Sequence, residues 1–442
     1  MGLHHSHSGG GYIWAQQVSP VSTTSLPVIH DVTATALGKG GALPKRAGPG
    51  AYGIWGQSDG NNSNVTIHNA GTATARGAVG YGIWVFTGGK NSNILIENSG
   101  SVFGSTAGIV VNPDTFAYGV AADNPTTIIN TGDISAGSHF AIDVDGPGTT
   151  KIYNASLITG FVDLTEQNDL FVNQAGGTVQ AATMAGQRET SSFQGLETFK
   201  NAGLISMMDG REGDSFTISN TPGGKDLSFQ AQSGSRLAVD AFLGGPGSKS
   251  DIFTVDGNVS GTTKVAVNNT NAGLGVFNAK GIRVVNVTGK TPRESNFVLK
   301  DGPIDTGLFD YDLFFTPTGS GHWDLKSFAG ARAFALPQLV TAAQDLWHQT
   351  SATWFDRTAD LRVVLNGGGA PAYDAGTKSL GEPVSDGLTP GVWIKGGGSW
   401  LDRDASAKTT AYGRNYTFDL DNELQTIDLQ VGIDIGQRDV LG

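Results

Sequence analysis

Apolar and polar positions alternate in short runs along residues 51–230. Val65 and Ile67, Ile94 and Ile96, and Ile152 each sit between polar neighbours, the spacing of a half-buried strand. The runs read NVTIHNAG, NILIENSG, TTIINTGDISAG, TKIYNASLITG, LETFKNAGLIS and DSFTISN, and most close on Asn-x-Gly or a near relative. That signature predicts a strand ending in a bend, with Asn in the left-handed region and Gly supplying a positive φ two residues later.

The pattern also repeats. AYGIWGQSDGNNSNVTIHNAG, residues 51–71, returns as GYGIWVFTGGKNSNILIENSG, residues 80–100. Asn69, Asn98, Asn130, Asn154 and Asn201 follow one another at 29, 32, 24 and 47 residues, the last gap being about two repeats. One strand-and-turn cassette per repeat at such a period predicts a stacked solenoid. The glycine load and the lack of any 3.6-residue stripe exclude helical repeats. The expected fold is all-β, a right-handed parallel β-helix in which those five Asn residues stack their amides into a structural ladder. Ile54 and Trp55 should occupy the positions that Ile83 and Trp84 occupy one coil later. The two tryptophans read either as in-register structural aromatics or as a platform for stacking carbohydrate.

Beyond this region the pattern changes. Residues 1–50 show no sustained period and read as a loose leader, with one capping strand near Pro27–Thr35. Residues 231–330 give further strand candidates ending in Trp323-Asp324-Leu325. The sequence then offers a helix, ALPQLVTAAQDLWHQTSATWFDRTADLRVVL. In it Leu336, Leu339, Val340, Ala343, Leu346 and Trp347 fall at i, i+3, i+4 spacing, with Pro337 near the start. Residues 366–390 read as a flexible linker. Finally Ile427, Leu429, Val431, Ile433 and Ile435 alternate with Thr426, Asp428, Gln430, Gly432 and Asp434, which matches a membrane β-strand with one lipid-facing side and one wet side.

Composition narrows the function. Only 15% of residues are charged and the formal net charge is -12, so the basic footprint of a nucleic-acid binder is missing. The 442 residues contain 65 glycines without a collagen period, and no cysteine. Absence of cysteine suits a chain that crosses an oxidising compartment and then threads a narrow pore. No run of eighteen apolar residues predicts a membrane helix. No signal peptide is evident, and His4, His5 and His7 read as part of the leader.

SDIFTVDGNVSGTTKVAVNN, GIRVVNV, GLFDYDLFFTP and HWDLKSF resemble the junction, or autochaperone, part of Gram-negative autotransporters secreted by the type V route. QLVTAAQDLWHQTSATWFDRTADLR resembles their pore segment, and GVWIKGGGSW their first barrel strand. Residues 51–247 resemble a pertactin-like passenger in repeat style. The resemblance implies six parts: a leader (1–50), a β-helix passenger (51–247), an autochaperone-like junction with Trp323 and Leu325 in its core (248–330), a pore helix carrying Leu339, Leu346 and Trp347 (331–365), a linker (366–390) and the start of a translocator barrel (391–442). A barrel of that family has about twelve strands, and bacterial barrels need at least about eight. Two or three fit here, so the barrel is expected to be incomplete. The resemblance further implies a cell-surface location and dealings with the outer membrane and its barrel-assembly machinery. A host-surface or glycan ligand would be the passenger's partner.

Candidate chemistry is sparse. Gly213-Asp214-Ser215 invites a serine hydrolase, but Phe216 stands where an oxyanion glycine belongs. Asp143, Asp145, Asp163 and Asp169 are the carboxylates a β-helix glycan lyase or hydrolase would need, for Ca²⁺ or as an acid/base pair. No phosphate loop, HExxH or metal-spaced His pair occurs. The expectation is therefore a non-enzymatic adhesin or virulence-associated passenger needing no cofactor. The alternative is a surface β-helix enzyme acting on glycans.

Overall fold

The computed structural model describes residues 13–17, 26–30, 34–37, 51–58, 61–113, 123–181, 190–220, 227–318, 320–365 and 389–436. It divides into two units, the first made of the chain up to residue 306 with 310–328, the second of 307–309 with the chain from 329 onward.

The first unit is a parallel β-solenoid with three stacks of strands. The second stack is the most regular. It holds Leu26–His30, Val65–Asn69, Ile94–Asn98, Thr126–Asn130, Thr150–Asn154, Leu170–Asn173, Thr198–Asn201, Leu227–Ala231 and Gly257–Ser260, nine strands in one parallel sheet. The first stack runs from Ile13–Gln17 through Ala51–Ser58 and Gly80–Thr87 to Ile252–Val255 and Ile282–Val287. The third runs from Ala34–Leu37 through Thr72–Arg76 to Thr263–Asn269 and Phe297–Leu299. Seven coils begin between Ala51 and Ile218, where first-stack pairing starts at residues 51, 80, 107, 140, 161, 190 and 215, residues 140 and 161 lying within the longer strands Asp133–Val144 and Leu157–Asp163.

Alternate side chains of every strand point inward, and those positions are the apolar ones. In the second stack they are Ile67, Ile96, Ile128 and Ile152, then Phe171, Phe199 and Phe229, all essentially without solvent exposure. Phe171 and Phe199 stack at 5.0 Å with planes 8° apart. The core thus changes from stacked isoleucine to stacked phenylalanine part-way along the shaft.

Three features differ from the sequence expectations. The leader contributes a further coil: Ile13–Gln17, Leu26–His30 and Ala34–Leu37 pair in register with Ile54–Ser58, Val65–Asn69 and Ala73–Arg76. Trp14 opposes Trp55, so Ile13-Trp14-Ala15-Gln16 is a further copy of Ile54-Trp55-Gly56-Gln57. An existing coil supplies backbone partners, so weak local propensity is enough to form the strands. Second, there is no break at residue 248, since Phe253 continues the column of Phe216 and Val265 that of Leu237.

Third, the Asn-x-Gly glycines are not there for positive φ. The positive-φ asparagines are Asn62, Asn91 and Asn112, and neither Gly100 nor Gly132 has a positive φ. A Cβ on Gly100 would lie 1.9 Å from the Gly71 carbonyl oxygen, and one on Gly132 2.0 Å from that of Gly100. Coils touch backbone to backbone at this corner, and only glycine leaves room.

The second unit holds helix α1 (Ala331–Leu365) and one long antiparallel hairpin. Its arms are Thr389–Arg403 with Ser406–Ala411, and Arg414–Asp419 with Asn422–Gly436. The turn between them is Tyr412-Gly413, both at positive φ. Of the linker, residues 366–388 lie outside the described residues, as do His4, His5 and His7.

Candidate functional site

The Asn column lies at the end of the second stack. Asn69 Nδ2 donates to Asn98 Oδ1 at 2.8 Å, Asn98 to Asn130 at 2.8 Å, and Asn130 to Asn154 at 2.8 Å. Asn154 donates to Asn173 at 2.9 Å and Asn173 to Asn201 at 2.8 Å. Asn173 fills the double gap. Its run, LFVNQAGG, turns on Gln-Ala-Gly-Gly in place of Asn-x-Gly and so lacks the signature of the others. The column ends in hydroxyls, Asn201 donating to Ser235 Oγ, which pairs with Thr263.

The solenoid's C-terminal end is closed by an antiparallel segment. Ser320–Ala329 runs against Ile282–Val287, with Trp323 opposite Val285 and Leu325 opposite Ile282. Trp323 and Leu325 are fully buried. The Trp323 ring meets Phe297 edge-on at 4.8 Å and Phe315 at 4.7 Å, and its indole N–H donates to the Glu294 carbonyl. Tyr311, also fully buried, donates its hydroxyl toward the carbonyls of Gly244 and Val276. Arg283 pairs with Asp324 at 3.1 Å.

Just before this cap lies a buried acidic group. Asp251 accepts N–H bonds from Gly213 and Asp214 at one oxygen and from Asp240 at the other. Asp240 in turn accepts from the amides of Asp209 and Gly210. Burial pushes the Asp251 carboxyl up to about 7, with the nearby Asp214 adding to the effect and the donated N–H bonds opposing it. These carboxylates cap turn amides of neighbouring coils, which is a structural duty. Ser215 opens the strand Ser215–Ile218, and the Phe216 ring behind it is a core residue between Phe193 and Phe253. No small residue is present there to shape an oxyanion hole.

The four carboxylates of the glycan-enzyme alternative divide. Asp143 and Asp163 are register neighbours on the first stack. Burial first, then the charges of Asp145 and Asp163, push Asp143 up to about 7. Burial also raises Asp163. Asp169 belongs elsewhere: fully buried, it accepts from the Thr150 amide and the Thr165 hydroxyl and is pushed up to about 6, chiefly by burial. Among the described residues, no cluster of three or more His, Cys, Asp or Glu has a geometry that holds a metal ion. Trp55 and Trp84 do form an outward-facing column, but at 9% and 2% exposure they present no open ring to a sugar. They pack edge-on at 5.2 Å, with Tyr52 and Tyr81 stacked beside them.

In the second unit, Leu339, Leu346 and Trp347 of α1 are exposed, as are Leu336 and Val340 of the same stripe. Apart from Phe334, which stacks on Phe418 at 5.7 Å, what α1 turns to the hairpin is polar. Gln349 accepts from Ser399 and Thr426 and donates to Asp428, Gln338 accepts from Asn422, and Asp345 pairs with Arg403. Besides Phe418, the hairpin side that meets the helix carries Ser, Thr, Asp and Arg, so polar helix residues are its main complement. Ile427, Leu429, Val431 and Ile433 point the other way and are 65–90% exposed. Ile435 opposes Pro390 in the ladder, and its side chain is outside the described set. No described helix is long and apolar enough to cross a membrane, which says nothing of strands.

Residues 214–313 match the family described as Autochaperone Domain Type 1. That stretch of the chain is similar to an autochaperone domain. Over 225 residues it is 28% identical to the probable autotransporter YfaL of Escherichia coli strain K12, covering 48% of this chain and 16% of that protein. Over 221 residues it is 26% identical to the adhesin BmaC autotransporter of Brucella suis biovar 1 strain 1330, covering 46% of this chain and 6% of that protein. The matched stretch takes in Asp214, Asp240 and Asp251 and the last coils with Phe297 and Tyr311, and ends before the capping strand Ser320–Ala329. It is therefore built from solenoid coils themselves.

Proposed function

We propose that this chain is the membrane-proximal part of a non-enzymatic, adhesive autotransporter passenger, displayed at the cell surface and joined to the start of its translocator. The autochaperone region acts as the seed on which the shaft is laid down. The observation that carries this reading is the cap around Trp323. It closes one end of a continuous parallel sheet and buries its apolar interior, so coils can be laid down only in the other direction. Each coil adds backbone partners and one ladder amide to the coil already in place. The wet side of the hairpin and the polar face of α1 suit a helix threaded through a barrel lumen. The adhesive role draws its support from the name of the Brucella relative and from a shaft whose carboxylates serve mainly as turn caps.

Pulsed hydrogen exchange during refolding of the whole chain tests the seed. Amides of 282–329 should gain protection before those of 65–111. Simultaneous protection, or protection of 65–111 first, would refute it.

A second reading has one observation in its favour. Asp143 and Asp163, adjacent and both raised, are placed as an acid/base pair of a glycan-cleaving enzyme would be. Release of reducing ends from bacterial or host polysaccharides, lost in Asp143→Asn, would establish it.

A further inference from the structure

Residues 271–281 form a loop that is tied down along its backbone and open at its side chains. The Asn271 side-chain amide donates to the Leu243 carbonyl at 2.9 Å, and that of Asn278 to the Gly244 carbonyl at 3.1 Å. The Gly275 N–H donates to the Thr306 carbonyl, and the Tyr311 hydroxyl reaches the carbonyl of Val276. Asn278 and Ser327 hold each other twice. The Asn278 N–H donates to Ser327 Oγ at 2.5 Å, and the Ser327 N–H to the Asn278 carbonyl at 3.1 Å. Yet Leu274, Val276 and Phe277 are 70%, 51% and 52% exposed. Phe242, 38% exposed, extends the patch: its ring lies against Gly244, and Val276 lies beside Gly245. Single exposed apolar side chains are ordinary, but four gathered on pinned backbone mark a contact surface. The same bonds stop the loop from collapsing over them and reduce the entropy lost on docking.

The surroundings indicate what covers the patch. Lys280 is exposed, and the stem of Lys326 lies 3.1 Å from where a Cβ on Gly281 would stand, so both border the Phe277 end of the loop. Lys249, also exposed, is bonded through its carbonyl to the Phe242 N–H. Of the nearby acids, Asp324 pairs with Arg283 and Glu212 accepts from the Thr270 hydroxyl, while Asp305 is exposed next to Thr306 on the Gly275 side. The path of the chain adds a second argument. Helix α1 starts at Ala331, four residues after Ser327, and leads to a hairpin with one exposed apolar side. Apolar side chains bordered by lysines, close in the chain to strands of that kind, suit a bilayer surface whose headgroups carry phosphate.

We propose that this loop is a membrane-surface contact, Leu274, Val276 and Phe277 entering the headgroup region of a phosphate-bearing bilayer while Lys249 and Lys280 meet its phosphates. The proposal rests on the reading of α1 and the hairpin as translocator parts, which makes Ala331 the point where the chain leaves the membrane. Ser327 is close to that point in the chain, and the loop is bonded to Ser327. The contact would seat the capped end of the solenoid on the bilayer, so that coils are added away from it.

The chain has no cysteine, so single labels can be placed in it freely. Leu274→Cys, Val392→Cys and Ser233→Cys, each carrying an environment-sensitive nitrobenzoxadiazole dye, are compared in the full chain. The chain is reconstituted, with detergent removed, in vesicles of phosphatidylcholine alone or with an equal part of phosphatidylglycerol. The Leu274 label should shift to the blue and brighten, more so in the mixed vesicles, and the label at Ser233, on an exposed turn of the shaft, should stay aqueous. Lys249→Gln with Lys280→Gln should lower the inserted-to-aqueous ratio of the Leu274 label in mixed vesicles at least about tenfold. Phe277→Gln should lower it in both kinds of vesicle, and circular dichroism melts check that each variant is folded. The Val392 label reports the hairpin alone. A shift at Leu274 without one at Val392 would support the contact and refute the translocator reading. A shift at Val392 without one at Leu274 would do the reverse, and a Leu274 label that stays aqueous overturns the contact in every case. So would an equal shift at Ser233, a Leu274 shift indifferent to all these substitutions, or one that grows with protein concentration in the absence of vesicles, which would mean a second copy covers the patch.

Discussion

Asn130 holds Asn98 and Asn154 at the same 2.8 Å, accepting from one and donating to the other, although they lie 32 residues before and 24 residues after it. All three are fully buried. Asn130→Ala would remove the shortest bond of the buried Asn98 amide and of the buried Asn154 oxygen, leaving each only 3.3 Å contacts. The expected cost is about 2–4 kcal/mol, read as a lower denaturant midpoint. A change under about 0.5 kcal/mol would mean the ladder is ornamental.

Gly100→Ala should be far more damaging than its size suggests, because the new methyl would meet the Gly71 carbonyl at 1.9 Å. Gly210→Ala makes the comparison. That position has a φ of +92 but nothing within 4 Å of the added carbon, so only backbone strain of about 1 kcal/mol applies. Thermal melts of the two variants should rank Gly100→Ala well below Gly210→Ala.

Trp323→Ala should cost roughly 3–5 kcal/mol as a large-to-small change in a closed core. If the autochaperone region seeds the shaft, it should also slow refolding, and Asn130→Ala should mainly speed unfolding. Stopped-flow fluorescence and circular dichroism together separate the two effects.

Stability should fall as pH rises from about 4 to about 7. Asp143 and Asp251 have folded values of about 7 against 3.8 for the free group, and Asp169 about 6. The folded state holds protons the unfolded chain has already released. Their contribution is complete below about 3.8 and is lost as pH passes the folded values. Asp143→Asn, which fixes the neutral form, should make the decline shallower. A denaturation series from pH 4 to 8 measures both slopes.

The purified chain should hydrolyse neither peptides, simple esters nor polygalacturonate. Turnover abolished by Ser215→Ala, or by Asp143→Asn with Asp145→Asn, would overturn the non-enzymatic reading.

Much of the solenoid was legible because its rule is local. Val65-x-Ile67 and Ile94-x-Ile96 announce strands, and the Asn series announces their stacking. What escaped was set by neighbours in space. Ile13-Trp14 looks like loose leader until the next coil offers it partners. Gly100 looks like a turn residue until the backbone of Gly71 is placed against it. Asn173 hides behind an atypical turn, and its role shows only when Asn154 and Asn201 prove to need an intermediary. Trp55 and Trp84 showed their equivalence in the sequence, but not that their rings would be enclosed. The apolar stripe of α1 was visible, whereas its exposure and the polar contacts of Gln338 and Gln349 depend on the hairpin beside it. The pairing of Asp143 with Asp163, and the separation of Asp169, depend on the path of the coils.

The ladder asparagines are 29, 32, 24, 19 and 28 residues apart in sequence, yet successive amides meet at 2.8–2.9 Å. The rod is indifferent to how much chain each coil spends outside it. Extra residues can be spliced into a corner without changing pitch, core or register. Surface variety and shaft length are therefore independent variables, so such a protein can change its exterior by insertion while its frame stays the same.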